Sequence, residues 1–122
     1  MAKKILIVDD ETKIVQLVAS RLRANGYEVF SAYDGIQGVQ VAHREKPDCI
    51  ILDIRMPAGG GTTVFRYLKM SAETSTIPIV FLTADASPET KKKALEEGAE
   101  AFLTKPFQAE DLLRTVRDIL HE

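Results

Sequence analysis

The chain has 122 residues, with 16 basic and 18 acidic side chains and a formal charge of -2; that is long enough for one compact core, with no overall positive field to gather nucleic acid or an anionic membrane. Its single cysteine, Cys49, excludes an internal disulfide framework, and neither a signal-peptide pattern nor an apolar run of bilayer length occurs. The expectation is one soluble, cytoplasmic domain over residues 1–122, with no direct nucleic-acid or membrane partner.

In chain order, KILIVD at 4–9 reads as a strand that runs into Asp9, Asp10 and Glu11. Adjacent acids disfavour each other's ionised forms, so the arrangement asks for a cation. Ile14, Leu17, Val18 and Leu22 recur at helical spacing as a core-facing stripe, and Asn25-Gly26 stops that helix. Strands follow at 27–32, 48–53 and 77–83; 48–53 and 77–83, like 4–9, are near-continuously apolar, the pattern of central strands covered on both faces. Ser87-Pro88-Glu89 opens a helix from about 88 to 97, with an N-cap, a proline in the first turn and an acid at the positive end. A weaker strand at 101–104 suits a sheet edge, as does 27–32. Leu112, Leu113, Val116, Ile119 and Leu120 stripe the last helix. Strands alternating with helices predict a parallel sheet with helices on both faces, and ligands in such folds collect beyond the carboxyl ends of the strands.

That rule brings Asp9, Asp10, Asp53, Thr83 and Lys105 to one rim. Taken singly each is commonplace, since strand-end aspartates cap helices or form turns and threonine favours strands. Together they place three carboxylates opposite one ammonium, a set that a divalent ion would neutralise. Mg²⁺ suits a few carboxylates and retained waters, and the lack of thiolate or imidazole ligands here argues against zinc.

The ordered segments VDDE (8–11), PDCIILDIRMP (47–57), FLTA (81–84) and FLTKPF (102–107) closely resemble a response-regulator receiver domain of two-component phosphorelay signalling. The resemblance implies a flavodoxin-like three-layer α/β sandwich, with five parallel strands in the order 2-1-3-4-5, five helices and a cis peptide before Pro106. It makes Asp53 the phosphoacceptor, and assigns Mg²⁺ to Asp9, Asp10, Asp53 and the main-chain carbonyl of Arg55. Thr83 and Lys105 would contact the phosphoryl oxygens, and Thr83 and Phe102 would form the switch. The implied donor is a phosphohistidine of a sensor histidine kinase or phosphotransfer protein. The implied output is a changed face of helix four, strand five and helix five, read by a downstream effector. Such a domain assists its own phosphorylation and dephosphorylation without being an enzyme in the usual sense. Phe102 lacks the hydroxyl of the commoner tyrosine, so signalling by a hydrogen bond through that ring is not expected.

Further features are particular to this chain. Arg55 and Asp85 have opposite charges suited to pairing across the pocket mouth. Gly59 and Gly60 replace bulkier residues before Gly61, which matches the family glycine. Lys91, Lys92 and Lys93 form either a solvated face, with Glu89 placed to pair with Lys93, or a recognition surface for an acidic partner. His43 and His121 read as surface residues and Cys49 as a small core hydrophobe. An alternative function is a Mg²⁺-dependent phosphatase or phosphotransferase working through an aspartyl phosphate, although the short chain leaves little room for a substrate cap. A flavodoxin-type cofactor binder is disfavoured, because acids occupy the place of a phosphate loop after strand one.

Overall fold

The computed structural model describes residues 2–55, 60–84 and 87–122. Strands and helices alternate as β1 (Lys4–Val8), α1 (Thr12–Ala24), β2 (Glu28–Ala32), α2 (Gly35–Glu45), β3 (Cys49–Asp53), α3 (Gly60–Met70), β4 (Ile79–Thr83), α4 (Pro88–Glu96), β5 (Ala101–Thr104) and α5 (Ala109–Leu120). All strand pairs are parallel and the sheet order is β2-β1-β3-β4-β5. This is the flavodoxin-like sandwich that the receiver-domain resemblance implies.

Strand residues alternate between the two sheet faces, so a continuous apolar run fills two cores at once. Leu6, Val8, Ile50, Leu52, Ile79 and Phe81 form one core with Val41 and Ala42 of α2, Val64, Phe65 and Leu68 of α3, and Ala94 of α4. Ile5, Ile7, Cys49, Ile51, Val80 and Leu82 form the other with Val15, Val18, Ala19 and Leu22 of α1 and Leu112 and Val116 of α5. The Phe65 and Phe81 rings meet at 5.0 Å between centroids. β3 and β4 are buried throughout, whereas every residue of β5 is half-buried and β2 is mixed, as edges should be. Cys49 lies wholly in the core, where burial, reinforced by Asp48 and Glu100, pushes its thiol up to about 12.

Three local expectations are adjusted. Leu17 of α1 is exposed and the buried stripe is Val15, Val18, Ala19 and Leu22, which turns the helix away from the frame that Leu17 suggested. β4 starts at Ile79 because Pro78 has no N–H for the ladder; its carbonyl still accepts from the Ile50 N–H at 3.0 Å. The i,i+4 ion pair of α4 joins Lys92 to Glu96 (3.8 Å), not Glu89 to Lys93. The predicted signals hold elsewhere. The Ser87 hydroxyl accepts from the Thr90 N–H (3.2 Å) ahead of Pro88, and α1 stops where Gly26 takes φ 90°, a conformation a side chain would strain.

Candidate functional site

Main-chain bonds hold the site residues at the carboxyl edge of the sheet. Asp9 follows β1 and its N–H donates to the Ala32 carbonyl of β2 (3.1 Å). Asp53 ends β3, and the next N–H, that of Ile54, donates to Leu82 of β4 (3.0 Å). Thr83 ends β4, and its carbonyl accepts from the Lys105 N–H (2.7 Å), which fixes the start of the cis Lys105–Pro106 turn after β5. Gly61 at the start of α3 donates its N–H to the Ile54 carbonyl (2.8 Å); a Cβ there would overlap the Asp53 carbonyl and lie 2.7 Å from Ile54 Cα. Only glycine lets α3 approach the end of β3 this closely.

Carboxylate oxygens of Asp9, Asp10 and Asp53 lie within 4.8 Å of one another. Asp9 and Asp53 are buried and Asp10 is exposed. Lys105 Nζ stands 2.8 Å from Asp9 Oδ2, 2.9 Å from Glu11 Oε1 and 3.3 Å from Asp53 Oδ2. Asp9 Oδ1 accepts the Glu11 N–H (2.9 Å) and Asp53 Oδ1 the Arg55 N–H (3.0 Å). Burial raises the Asp9 carboxyl above its ordinary value, and Asp53 adds to this, while Lys105 and the Glu11 N–H act in the opposite sense without cancelling it. The Lys105 ammonium is itself raised: its desolvation is outweighed by Asp9, Glu11 and Asp53 together.

Glu11 is the site residue that sequence reasoning missed. Its carboxylate makes the cluster four acids around one ammonium, so a divalent cation and Lys105 leave one negative charge rather than none. The signal was present in VDDE, but residue order alone does not say that a side chain at the start of α1 turns back towards β5.

Asp9 Oδ2 fits a metal ligand. It is buried and, among the described residues, has no hydrogen-bond partner beyond its 2.8 Å ion-pair contact with the Lys105 ammonium. The donors are hard oxygens, which suit Mg²⁺.

Thr83 is fully buried and lines a cavity of about 210 Å³ together with Ile54, Arg55, Phe81, Thr90 and Lys93, between the end of β4 and α4. Phe102 pairs in register with Phe81 and packs, half-buried, against the core on that same face. Arg55 is exposed. Its expected partner Asp85, and Gly59, lie outside the described residues. His43 contacts Glu73 (3.4 Å) and His121 caps α5 at the opposite end of the molecule, neither near the acids. Among the described residues no helix is long and apolar enough to cross a membrane.

The sequence matches the response regulator receiver domain family model over residues 5–117. The chain belongs to the response regulator receiver family. This receiver is similar over its length to solved members of the family. The chemotaxis protein CheY4 of Vibrio cholerae is 36% identical, with 98% of this chain and 99% of that one covered and a TM-score of 0.92. A CheY-like receiver domain protein from Methanospirillum hungatei is 30% identical (99% and 95% covered, TM-score 0.91). The receiver domain of a sensor histidine kinase from Pseudomonas aeruginosa, also 30% identical (100% of both chains, TM-score 0.90), has a magnesium ion coordinated in its active-site cleft.

Proposed function

We propose that residues 1–122 form a single cytoplasmic receiver that accepts a phosphoryl group on Asp53 and works as a switch in a phosphorelay. The observation that carries this reading is the approach of Asp9, Asp10 and Asp53 to within 4.8 Å, with the Lys105 ammonium 3.3 Å from Asp53. A carboxylate thus sits beside fixed positive charge at the carboxyl edge of the sheet.

In the reaction, an Asp53 oxygen bonds to phosphorus as the bond from phosphorus to the imidazole nitrogen of a donor phosphohistidine breaks. The nitrogen keeps the electron pair and gains a proton, and Asp53 becomes an acyl phosphate. The transition state is loose, with charge on the equatorial oxygens, so alignment and fixed charge supply most of the acceleration. The Lys105 ammonium and the Thr83 hydroxyl take those oxygens. At an effective dielectric near 20, one unit-charge contact at about 4 Å contributes roughly 4 kcal/mol. Bound Mg²⁺, held by Asp9, Asp10, Asp53 and the Arg55 carbonyl, would supply divalent charge that offsets repulsion between carboxylate and phosphoryl group.

The donor is a sensor histidine kinase or phosphotransfer protein, and the reader is a downstream effector at the α4, β5 and α5 face. Phosphorylation draws Thr83 towards the phosphoryl group and Phe102 into the space beside it. The change is a population shift, driven only by as much as the phosphoryl group binds the active arrangement better.

Incubation with acetyl phosphate and Mg²⁺, followed by intact mass measurement, tests the reading. One phosphoryl adduct on the wild type and none on Asp53→Asn is the expected result. An adduct on both, or on neither, overturns it.

A further inference from the structure

We propose that Glu11 is a positioning residue that holds Lys105 at the rim and so limits how fully its charge reaches Asp53. The inference rests on the reading of Asp53 as phosphoacceptor, and it concerns regulation of that site.

The position of Glu11 is unusual for its type. It occupies the N-cap of α1, where Ser, Thr, Asp or Asn normally bonds the first free N–H groups, yet its side chain makes no cap bond. Its backbone is fixed at both ends, by the N–H to Asp9 Oδ1 (2.9 Å) and by the carbonyl, which accepts the Val15 N–H (3.1 Å). The carboxylate, 57% exposed, instead reaches Lys105 Nζ at 2.9 Å. A local rule of helix capping is broken, and the compensating contact lies in the functional cluster.

Three carboxylates share the ammonium, and the longest of the three contacts is the one to Asp53, at 3.3 Å against 2.8 Å and 2.9 Å. An incoming phosphoryl group must compete with Glu11 for the same N–H donors. Glu11 also adds a negative charge at the entrance, which repels an anionic donor. Both effects slow uptake; an amide removes the charge at the entrance and leaves only a neutral, weaker acceptor for the Lys105 N–H groups. Shortening the side chain by one methylene keeps the charge but removes the reach, and it leaves a residue that caps helices well.

The test compares wild type, Glu11→Gln and Glu11→Asp for phosphoryl uptake from acetyl phosphate at saturating Mg²⁺. The side-chain NMR signal of Lys105 is followed without Mg²⁺ or donor. Uptake about threefold or more above wild type in Glu11→Gln, a smaller rise in Glu11→Asp, and a shifted or exchange-broadened Lys105 signal in both are expected. Uptake by Glu11→Gln at or below the wild-type rate overturns the proposal. A rise in Glu11→Gln with Glu11→Asp at the wild-type rate also overturns it, because charge at the entrance alone would then be responsible. If the wild type takes up no phosphoryl group, the phosphoacceptor reading itself fails, and an unmoved Lys105 signal in Glu11→Gln would then separately dismiss the tether.

Discussion

Lys105, after the edge strand β5, reaches across the ends of β4 and β3 to within 2.8 Å of Asp9, a fully buried acid at the end of β1. Removing the ammonium in Lys105→Ala strands a buried carboxylate, a class of change that costs about 3 kcal/mol or more. A divalent ion can take over the same neutralisation. Urea unfolding should show that loss without Mg²⁺ and a larger recovery on adding Mg²⁺ than the wild type shows. Saturation at a hundredfold the Kd adds about 2.7 kcal/mol to any form that binds. Equal Mg²⁺ increments in both proteins would remove Lys105 from the charge balance.

Asp9→Asn addresses the opposite partner. Burial raises the folded-state carboxyl of Asp9 above its ordinary value of 3.8, so the folded chain holds that proton more tightly than the unfolded chain. Stability from this group is therefore present below pH 3.8 and lost as pH rises through the folded value. The asparagine should accordingly melt higher than wild type at pH 7 in the absence of divalent ions, by about 3–6 °C if the gain is near 1 kcal/mol. Lys105 retains Glu11 and Asp53 in that variant. The advantage should shrink as pH falls towards 4, and thermal melts at pH 7, 5 and 4 would reveal an advantage of the wrong sign.

Gly61→Ala forces a methyl group against the Asp53 carbonyl. Overpacking of this kind costs about 1–3 kcal/mol, and here it also displaces the main chain of Asp53. Lower urea midpoints together with slower phosphoryl uptake are expected, and unchanged uptake would mean that α3 can retreat without disturbing Asp53.

Phe102→Trp introduces the only indole in a chain that has no tryptophan. Packing of the ring further into the core on phosphorylation should blue-shift its emission when acetyl phosphate and Mg²⁺ are added. The same shift in a Phe102→Trp, Thr83→Ala double variant would separate the ring from the threonine and remove the coupling.

Three of the five strands could be read with little ambiguity, because β1, β3 and β4 are apolar on consecutive residues and bury both faces. The rim followed from the same fact, since strand ends in a parallel sheet share one edge and carry Asp9, Asp53 and Thr83 there. The order of the strands came from family likeness, because alternation of elements fixes handedness and leaves neighbour choice open. Leu17 misled because one leucine at helical spacing fits two adjacent stripes, and the smaller Val15 and Ala19 occupy the face that packs. Glu11 was hidden for another reason: its contact spans the sheet from β1 to β5, and no local pattern encodes a partner 94 positions away.

The main-chain bonds from Asp9 to Ala32, Ile54 to Leu82 and Lys105 to Thr83 tie every strand of the sheet to one chemical centre. A fragment that ends before β5 lacks Lys105, and the acids at the ends of β1 and β3 then stand without the ammonium that contacts them in the complete sheet. On the proposed reading, in which Asp53 accepts phosphate beside Lys105, that competence depends on a sheet assembled from its first strand to its last.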